Sequence, residues 1–377
     1  MKSSMTRRHL LAAGAGLAAG GKATGSSETS SSRHIDQRMA RAYQVGNQKG
    51  IDSLVQFTRE MAPLGSADVL VRTRAAALNY RDIMILEGRY GALKPSSRVP
   101  GGDGAGEIIA VGEHVSGLRV GDRVTAPHFS GWIDGEYHPA VFAGDIGNNR
   151  NGWLSEMVRL PSDACVKLPE NMSFESAAAL GAAGITAWRV LVMLGKVKAG
   201  DTVLTLGTGG VSILAVQLAV AHGANVAITS SSDEKLKLAR KLGASVTINY
   251  RQESEWEKQV VAQTGGANIV VETVGLRTLN QSLAACAPNA RIGYLGSLGG
   301  TPSQFPNLSG LILKNVIIQG ITSGSRKMQA DLIRACEHNN IVPHVDRTFE
   351  FDRTKDALSY LAKSGHVGKV VVTFADD

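Results

Sequence analysis

The chain has 377 residues, of which 43% are hydrophobic, 43 are glycine and only 11 are proline. This composition fits a folded protein of about two domains and excludes a disordered, collagen-like or coiled-coil chain. The formal net charge is +7, but part of it lies in residues 1–32 and no basic run follows, so nucleic acid is not expected as a partner. Three cysteines stand far apart, which argues against a disulfide framework or a structural zinc site: Cys165, Cys286 and Cys336.

The first 32 residues have the pattern of an export signal followed by a polar linker. The pair Arg7-Arg8 is followed by two leucines and by a stretch rich in alanine and glycine, which predicts twin-arginine export and a periplasmic location. The apolar stretch is about half of the ~20 residues that a membrane span needs, so no permanent membrane anchor is expected. The alternative is a basic leader without function, which would leave the protein in the cytoplasm.

The next part of the chain, residues 33–165, is turn-rich and strand-like. Apolar residues recur near period two in VLVRTRAAA (residues 69–77), and GEIIAV (residues 106–111) is a short apolar run. The pattern predicts a β-rich domain. A strand pattern returns at residues 370–374, and we expect residues 340–377 to complete this domain.

Residues 166–339 have a different pattern, in which strands and helices alternate. An alanine-rich helical stretch at residues 174–194 comes first, with Ser173 in the position of its N-cap. Such alternation predicts the α/β class, with a doubly wound parallel sheet that has helices on both faces. The predicted strands are residues 201–206, 225–229, 245–249, 269–274 and 291–295, and the helices between them are residues 213–222, 233–242, 255–264 and 279–285.

A glycine-rich turn joins the first of these strands to its helix. Glycines in this position allow a tight turn and a close approach of the backbone to a pyrophosphate, whose charge the helix N-terminus stabilises. Ser212 occupies the place of the third glycine of the usual pattern, and the alternative is a tight connection that binds nothing. The residues predicted to contact a dinucleotide here are Gly207, Thr208, Gly209, Gly210 and Val211.

The end of the second strand indicates which dinucleotide would bind. An NAD site places an acidic residue about 20 residues after the glycines, whereas this chain has serines there, including Ser230 and Ser231, with Lys235 behind them. Because hydroxyl groups and a cation suit a 2′-phosphate, NADPH is predicted in preference to NADH. The alternative is that the serines only cap the following helix.

Five further segments complete the pattern: ALNYRD (residues 77–82), GRYG (88–91), PGGDGAGE (100–107), VGDRV (120–124) and AGITAW (183–188). With these segments, residues 35–377 resemble the medium-chain dehydrogenase/reductase superfamily. The resemblance implies a GroES-like β domain and a Rossmann domain, with the active site in the cleft between them. It also implies a homodimer formed through the edge of the Rossmann sheet, near residues 292–298 and 311–319.

The resemblance is to the zinc-independent branch of this superfamily. Zinc-dependent alcohol dehydrogenases carry a cysteine where this chain has Asn79, and Gly-His-Glu where it has Gly101-Gly102-Asp103. A catalytic zinc needs about three protein ligands, so no bound metal is expected. His128 and His138 lie ten residues apart in a predicted loop and are expected to be pocket or surface residues.

The zinc-independent branch resembles quinone oxidoreductases and enoyl reductases. This implies that hydride passes from NADPH to a small-molecule quinone or α,β-unsaturated carbonyl compound. Asn79 would then donate a hydrogen bond to the substrate oxygen, and Tyr90 would protonate the enolate or, alternatively, form a pocket wall. The resemblance brings further residues to the cofactor: Thr186 and Trp188 near the nicotinamide, Lys235 and Tyr250 at the 2′-phosphate, and Gly275, Gly296 and Ser297 after two later strands.

Two other functions stay open on the sequence. The first is an alcohol or aldehyde dehydrogenase of the same superfamily, which would need a metal or a relay of protein groups for its proton. The second is an NADPH-binding protein without turnover.

Overall fold

The computed structural model describes residues 39–296, 300 and 306–375. The predicted export signal and Ser297 therefore lie outside the described residues. Among the residues that are described, no helix combines the length and the apolar character needed to cross a bilayer.

The N-terminal part of the described chain is built mainly of strands. In chain order its elements are β1 (Met39–Gln44), β2 (Val55–Glu60), β3 (Asp68–Leu78), α1 (Tyr80–Leu86), β4 (Asp103–Val111), β5 (Arg123–Thr125), β6 (Met157–Pro161) and β7 (Val166–Lys167).

Strands and helices alternate in the middle of the chain. The elements are α2 (Phe174–Ala179), α3 (Ala182–Trp188), β8 (Thr202–Leu206), α4 (Gly210–Ala221), β9 (Asn225–Ser230), α5 (Asp233–Lys241), β10 (Val246–Asn249), α6 (Trp256–Thr264), β11 (Ala267–Glu272), α7 (Leu279–Ala285), β12 (Cys286–Tyr294), α8 (Ser309–Leu313), β13 (Ile317–Gly320) and α9 (Arg326–His338). The last elements are β14 (Val345–Glu350), α10 (Thr354–Ala362) and β15 (Lys369–Thr373).

The middle part forms a six-stranded parallel sheet in the order β10-β9-β8-β11-β12-β13. All five residues of the central strand β8 are buried, as expected for a parallel strand that has helices on both faces. The order reverses between β8 and β11, and in open α/β sheets ligands bind beside the carboxyl ends of the strands at this point. The predicted fold class is confirmed.

A second, seven-stranded sheet has the order β14-β15-β3-β4-β5-β7, with β6 paired to β3. The C-terminal strand β15 runs antiparallel to β3, with Val370 opposite Leu78. This pairing brings two segments that are almost 300 residues apart to the end of β3. Strand β7 pairs with β5, so this seven-stranded sheet includes residues up to Lys167.

The alanine-rich stretch at residues 174–194 is not one helix. It divides into α2, α3 and a π-helical turn at Arg189–Leu194. The break falls at Gly181, where a Cβ atom would lie 2.3 Å from Cγ of Asp103. The amide of the next residue, Ala182, donates a hydrogen bond to Oδ1 of Asp103 at 2.9 Å. Contact with the other sheet therefore overrides the helical pattern here.

Candidate active site

Asn79 lies where β3 ends and α1 begins. Its backbone is extended, and its N–H donates a hydrogen bond to Oδ2 of Asp82 at 2.8 Å, which starts the helix. Burial raises the pKa of Asp82 to about 6, although Arg81 acts in the opposite direction. The strand-to-helix turn therefore holds the backbone of Asn79 in one conformation.

The side-chain amide of Asn79 lies between two charged groups. Its Nδ2 donates to Oδ2 of Asp103 at 2.7 Å, and its Oδ1 accepts from Nζ of Lys369 at 2.7 Å. An ammonium group can only donate, and an ionised carboxylate can only accept, so these neighbours fix which end of the amide is nitrogen. Among the described residues, Asp103 is the one acceptor bonded to Nδ2, which leaves its second N–H without a partner there.

Lys369 was not recognised in the sequence analysis. It is only 3% exposed, and burial lowers its pKa while Asp103 acts to raise it. Its Nζ also donates to the carbonyl oxygen of Leu78 at 2.9 Å and lies 3.8 Å from Oδ2 of Asp103. A Cβ atom on Gly210 would lie 2.7 Å from Cδ of Lys369, so this lysine connects Asn79 to the glycine-rich turn.

Tyr90 lies in the same neighbourhood, under a buried arginine. The guanidinium carbon of Arg81 is 5.4 Å from the centroid of the Tyr90 ring. A Cβ atom on Gly102, the residue before Asp103, would lie 3.3 Å from the same carbon. Burial raises the pKa of Tyr90, and Arg81 partly offsets this. The phenol is therefore protonated across the neutral range.

Asp145 holds Arg81 in this position. The two side chains form an ion pair with 2.8 Å between Nη1 and Oδ1, and Nη2 of Arg81 donates to the carbonyl oxygen of Ile146 at 2.8 Å. Both side chains are largely buried. Such a pair is costly to break, because the remaining charge would be buried alone.

The two histidines of the loop after β5 have different surroundings. His128 is buried against Phe129, and burial together with Arg81 holds its pKa well below the ordinary value. His138 is exposed, and its Nδ1 accepts the N–H of Ala140. Across the residues that the structure describes, no three His, Cys, Asp or Glu side chains are grouped so as to hold a metal ion.

The glycine-rich turn after β8 leaves space at the start of α4. Gly207 has a φ of +71°, which favours glycine, and a Cβ atom at Gly207 or Gly209 would meet nothing within 4 Å. Ser212 compensates for the missing third glycine, since its hydroxyl donates to the carbonyl oxygen of Leu206 at 2.7 Å. Open space beside a helix N-terminus suits a phosphate.

This turn also touches the other sheet. The N–H of Gly368 donates to the carbonyl oxygen of Thr208 at 2.9 Å, immediately before Lys369. Val211, in the first turn of α4, is half-buried against the core. Thr208 contacts Gly368 and Asn79 contacts the next residue, Lys369, so the structure places the glycine-rich turn near Asn79.

Gly275 and Gly296 lie where the turns after β11 and β12 meet. A Cβ atom on Gly275 would be 2.6 Å from the carbonyl oxygen of Gly296, and a Cβ atom on Gly296 would be 1.7 Å from that of Thr273. The hydroxyl of Thr273 donates to Leu206 at 2.7 Å, which ties these turns to the glycine-rich turn. The close approach of the two backbones explains both glycines.

The serines after β9 adjoin the start of α5. Ser232 caps the helix, and the carbonyl oxygen of the buried Ser230 accepts the N–H of Tyr250, whose side chain is 44% exposed. Ser231 is half-buried beside them. Asp233, the first acidic residue, accepts hydrogen bonds from two amides, Asn249 at 2.8 Å and Gln252 at 2.9 Å.

The ammonium group of Lys235 is bonded to the segment before β15. Its Nζ donates to the carbonyl oxygen of Ser364 at 2.6 Å, in the turn before β15. Burial lowers its pKa, and Asp346 acts to raise it. In this structure Lys235 thus joins α5 to the other sheet.

Of the two residues expected near the nicotinamide, Thr186 lies on the helix face that begins at Ala182, whose amide binds Asp103. Trp188 packs at the other end of α4, and its place near a nicotinamide stays a prediction. Its ring contacts His222 at a centroid distance of 6.2 Å, and His222 follows the C-terminal end of α4, opposite the glycine-rich turn. Since a 12-residue helix is about 18 Å long, Trp188 is remote from that turn.

Comparison with known proteins gives a consistent family. The model of the alcohol dehydrogenase GroES-like domain matches residues 65–170, and that of the zinc-binding dehydrogenase domain matches residues 210–338. A zinc-type alcohol dehydrogenase-like protein of Schizosaccharomyces pombe is 41% identical over 89% of this chain and 99% of its own length. The acryloyl-coenzyme A reductase of Metallosphaera sedula is 31% identical over 82% of this chain and 92% of its own.

Among solved structures, a Sinorhizobium meliloti protein provisionally described as an alcohol dehydrogenase superposes with a TM-score of 0.82. It is 36% identical, and the match covers 89% of this chain and 99% of that one. With the two sheets and the glycine-rich turn described above, these matches show that the chain belongs to the medium-chain dehydrogenase/reductase superfamily and is an NAD(P)-dependent oxidoreductase.

Proposed function

We propose that the protein is a zinc-independent, NADPH-dependent reductase of quinones or α,β-unsaturated carbonyl compounds. The observation that carries this proposal is the amide of Asn79. Lys369 and Asp103 fix its orientation, and one N–H of Nδ2 is left for a substrate oxygen. An oriented donor of this kind can stabilise developing negative charge on oxygen without a metal.

The donor set at this place does not fit a zinc ion. A catalytic zinc needs about three ligands of the thiolate, imidazole or carboxylate type. Here Asp103 is the carboxylate bonded to the side-chain amide of Asn79, and it already accepts from Asn79 and Ala182, while Asp82 accepts the backbone N–H of Asn79. The buried ammonium of Lys369 lies 3.8 Å from this carboxylate and would repel a divalent cation.

The residues of the cleft have separate roles in the proposed reaction. Bound NADPH supplies the hydride. Nδ2 of Asn79 donates to the carbonyl oxygen of the substrate and stabilises the enolate. The hydroxyl of Tyr90 carries the proton that the enolate carbon receives, and Arg81 holds the Tyr90 ring in place. The acryloyl-coenzyme A reductase that the chain resembles is named for a substrate with such a conjugated double bond.

The preference for NADPH rests on the residues after β9. The hydroxyl groups of Ser230 and Ser231 and the ammonium of Lys235 suit a 2′-phosphate. Asp233, which would otherwise be the candidate for ribose hydroxyls, is engaged by Asn249 and Gln252. For Lys235 to reach a phosphate, its Nζ must leave or share the carbonyl oxygen of Ser364.

An alcohol or aldehyde dehydrogenase is the second candidate. The name of the Schizosaccharomyces pombe relative favours it. In this case the carbonyl group itself would be reduced, and the proton would go to oxygen.

Location and assembly are also proposals. The Arg7-Arg8 segment supports export by the twin-arginine route, which carries folded proteins. Strand β13 is an edge of the parallel sheet, and Ile312 and Leu313 beside it are 85% and 83% exposed. A strand at the edge of the described sheet, next to exposed apolar side chains, supports a homodimer formed through this edge.

Product analysis separates the two candidate activities. Residues 33–377 would be incubated with NADPH and, in turn, an enone, an enal and a quinone, and the products identified by mass spectrometry and NMR. We expect saturated carbonyl products or a hydroquinone. Allylic alcohols as the main products would favour the dehydrogenase, and NADPH binding without oxidation by any acceptor would indicate a binding protein.

A further inference from the structure

Arg189 is a buried cation without a carboxylate partner. The residue is 9% exposed, its Nη1 donates to the carbonyl oxygen of Ser323 at 2.9 Å, and its guanidinium carbon is 5.0 Å from the ring centroid of Trp132. No acidic side chain among the described residues pairs with it. Buried charges are normally paired, because an isolated charge loses its hydration without compensation.

The other buried cations of the cleft follow this rule. Arg81 pairs with Asp145 at 2.8 Å, and Lys369 lies 3.8 Å from Asp103. Arg189 differs because its neighbours are aromatic rings and a backbone carbonyl. An aromatic ring and a carbonyl orient a guanidinium, but neither neutralises its charge.

Arg189 lies on the helix face that leads away from Asn79. Ala182, whose amide binds Asp103, stands at the start of α3, Thr186 follows four residues later, and Arg189 follows three after that, so the three share one face. Seven residues of helix span about 10 Å. The Cα atom of Arg189 is therefore about 10 Å along the helix axis from that of Ala182, whose amide binds Asp103.

Two segments complete the surroundings of Arg189. Trp132 comes from the loop after β5, and its carbonyl oxygen accepts the N–H of Arg326 at 2.8 Å. Ser323, in the segment between β13 and α9, has a φ of +56°, and its buried hydroxyl has no hydrogen-bond partner. An unpaired cation and an unpaired hydroxyl donor thus stand side by side.

We propose that Arg189, with the hydroxyl of Ser323, binds an anionic group of the substrate, a carboxylate or a phosphate. The proposal rests on the function proposed above and names its substrate class: compact conjugated carbonyl compounds that carry an anionic group at the end remote from the carbonyl oxygen. A guanidinium has five N–H donors in a planar fork that matches either anion, and Nη1 uses one of them on Ser323. The Trp132 ring then forms a wall of this pocket.

Rigid substrate analogues test the proposal. The probes are 4-carboxycinnamaldehyde, its neutral methyl ester and 4-phosphonooxycinnamaldehyde, which share the conjugated carbonyl. We expect the native enzyme to have a higher kcat/KM for an anionic probe than for the ester. The better of the two anions identifies the group as a carboxylate or a phosphate.

The variants are Arg189→Gln and Arg189→Lys, with Lys327→Gln as the control, since Lys327 is an exposed cation of the neighbouring segment. Loss of charge-assisted hydrogen bonds predicts that Arg189→Gln lowers kcat/KM for the preferred anion by about 10- to 100-fold. We expect kcat/KM for the ester to change by less than about threefold in this variant, which is less than 1 kcal/mol. Arg189→Lys keeps the charge and should retain part of the preference.

Equal losses on the ester and on both anions would show that Arg189 only supports the fold, and would overturn the proposal. An enzyme that reduces the ester as well as the anions would overturn it too, while leaving the proposed function intact. If no probe is reduced but a quinone or a simple enone is, the substrate class named here is wrong and the proposed function stands; if none of them is reduced, the proposed function fails. Calorimetric binding of 3-(4-carboxyphenyl)propanamide to the native protein and to Arg189→Gln then decides the matter, and equal affinities would contradict the anion site.

Discussion

Charged neighbours fix both ends of the side-chain amide of Asn79. A substitution that removes this amide should therefore have a specific effect on the reaction. Asn79→Ala deletes the N–H that faces the substrate. Loss of one such donor lowers kcat by about 10²- to 10³-fold in other enzymes, and we expect a similar loss here. Steady-state kinetics with an enone would measure it.

The dissociation constant of NADPH is the control for Asn79→Ala, because the glycine-rich turn is unchanged. We expect it to stay within about threefold, an effect below 1 kcal/mol. A variant that keeps its kcat on every accepted substrate would remove Asn79 from the reaction.

Tyr90 combines a protonated phenol with a fixed ring. Tyr90→Phe removes the hydroxyl but keeps the ring under Arg81, so a loss of kcat reports proton transfer rather than packing. Positioned acids contribute about 10²- to 10⁴-fold, and we expect a loss at the lower end of that range, because water can reach a half-buried site.

The dependence of kcat on pH tests whether protonated Tyr90 is the proton donor. Burial raises the pKa of Tyr90, so the acid form is kept above the ordinary phenol pKa of about 10. The kcat of the native enzyme should not fall between neutral pH and the onset of this titration. An unchanged kcat in Tyr90→Phe would assign Tyr90 to the pocket wall.

Lys235 tests the preference for the phosphorylated cofactor. Lys235→Ala should raise KM for NADPH by about 10-fold or more, the value of a charge-assisted hydrogen bond, and should change KM for NADH little. Lys237→Ala is the matched control, since that lysine is exposed and pairs with Glu234. Equal effects of Lys235→Ala on both cofactors would place the lysine outside the phosphate site and leave it as a bridge to Ser364.

The role of the turn between β8 and α4 in cofactor binding can be tested by a substitution that leaves the fold intact. Gly209 has a φ of −75°, and its Cβ would meet nothing within 4 Å. Gly209→Ala should therefore cost only about 1 kcal/mol or less of folding free energy, as expected for replacing a helix N-cap glycine. The added methyl group would occupy the space in which we expect the pyrophosphate.

We predict that Gly209→Ala weakens NADPH and NADH alike, by about 10-fold or more, a cost of about 1.4 kcal/mol. Fluorescence titration measures both affinities, and thermal unfolding measures the stability. Unchanged affinity for both cofactors would contradict the pyrophosphate assignment of this turn.

The regular elements followed from the sequence because their patterns are local. The apolar run of β8 and the glycines after it predicted a buried parallel strand, a tight turn and a helix, and all three are present. The break at Gly181 could not be predicted in this way, because it is caused by the carboxylate of Asp103 in the other sheet.

The sequence predicted some residues of the candidate site but not their partners. Asn79, Tyr90 and the glycine-rich turn were visible as motifs, but the partner of Asn79 was not. Lys369 is the first residue of strand β15, and the three residues after it are apolar. A lysine within such an apolar strand indicates a functional or structural role, because lysine is rarely buried without a partner. Its role depends on the pairing of β15 with β3, which no short segment of sequence reveals. The surroundings of Arg189 could not be predicted for the same reason, because its contacts Ser323 and Trp132 come from distant segments of the chain.

The candidate site is formed by residues that lie far apart in the chain and that the two sheets bring together. Gly368 bonds to Thr208, Lys369 bonds to Asn79, and Lys235 bonds to Ser364. The segment 364–369 thus contacts the glycine-rich turn, the start of α5 and the end of β3 together. A protein exported by the twin-arginine route would carry this cleft already formed, and a cofactor retained in it would need a partner to reduce it again.

The most direct test of the account is the dependence of hydride transfer on metal. The purified enzyme would be analysed for zinc, dialysed against a chelator, and assayed by NADPH oxidation with an enone before and after dialysis. We predict an unchanged kcat and no stoichiometric zinc, because the side chains around Asn79 do not supply three zinc ligands and the ammonium of Lys369 lies among them. About one zinc per chain, with activity that is lost on dialysis and restored by added zinc, would contradict the central claim.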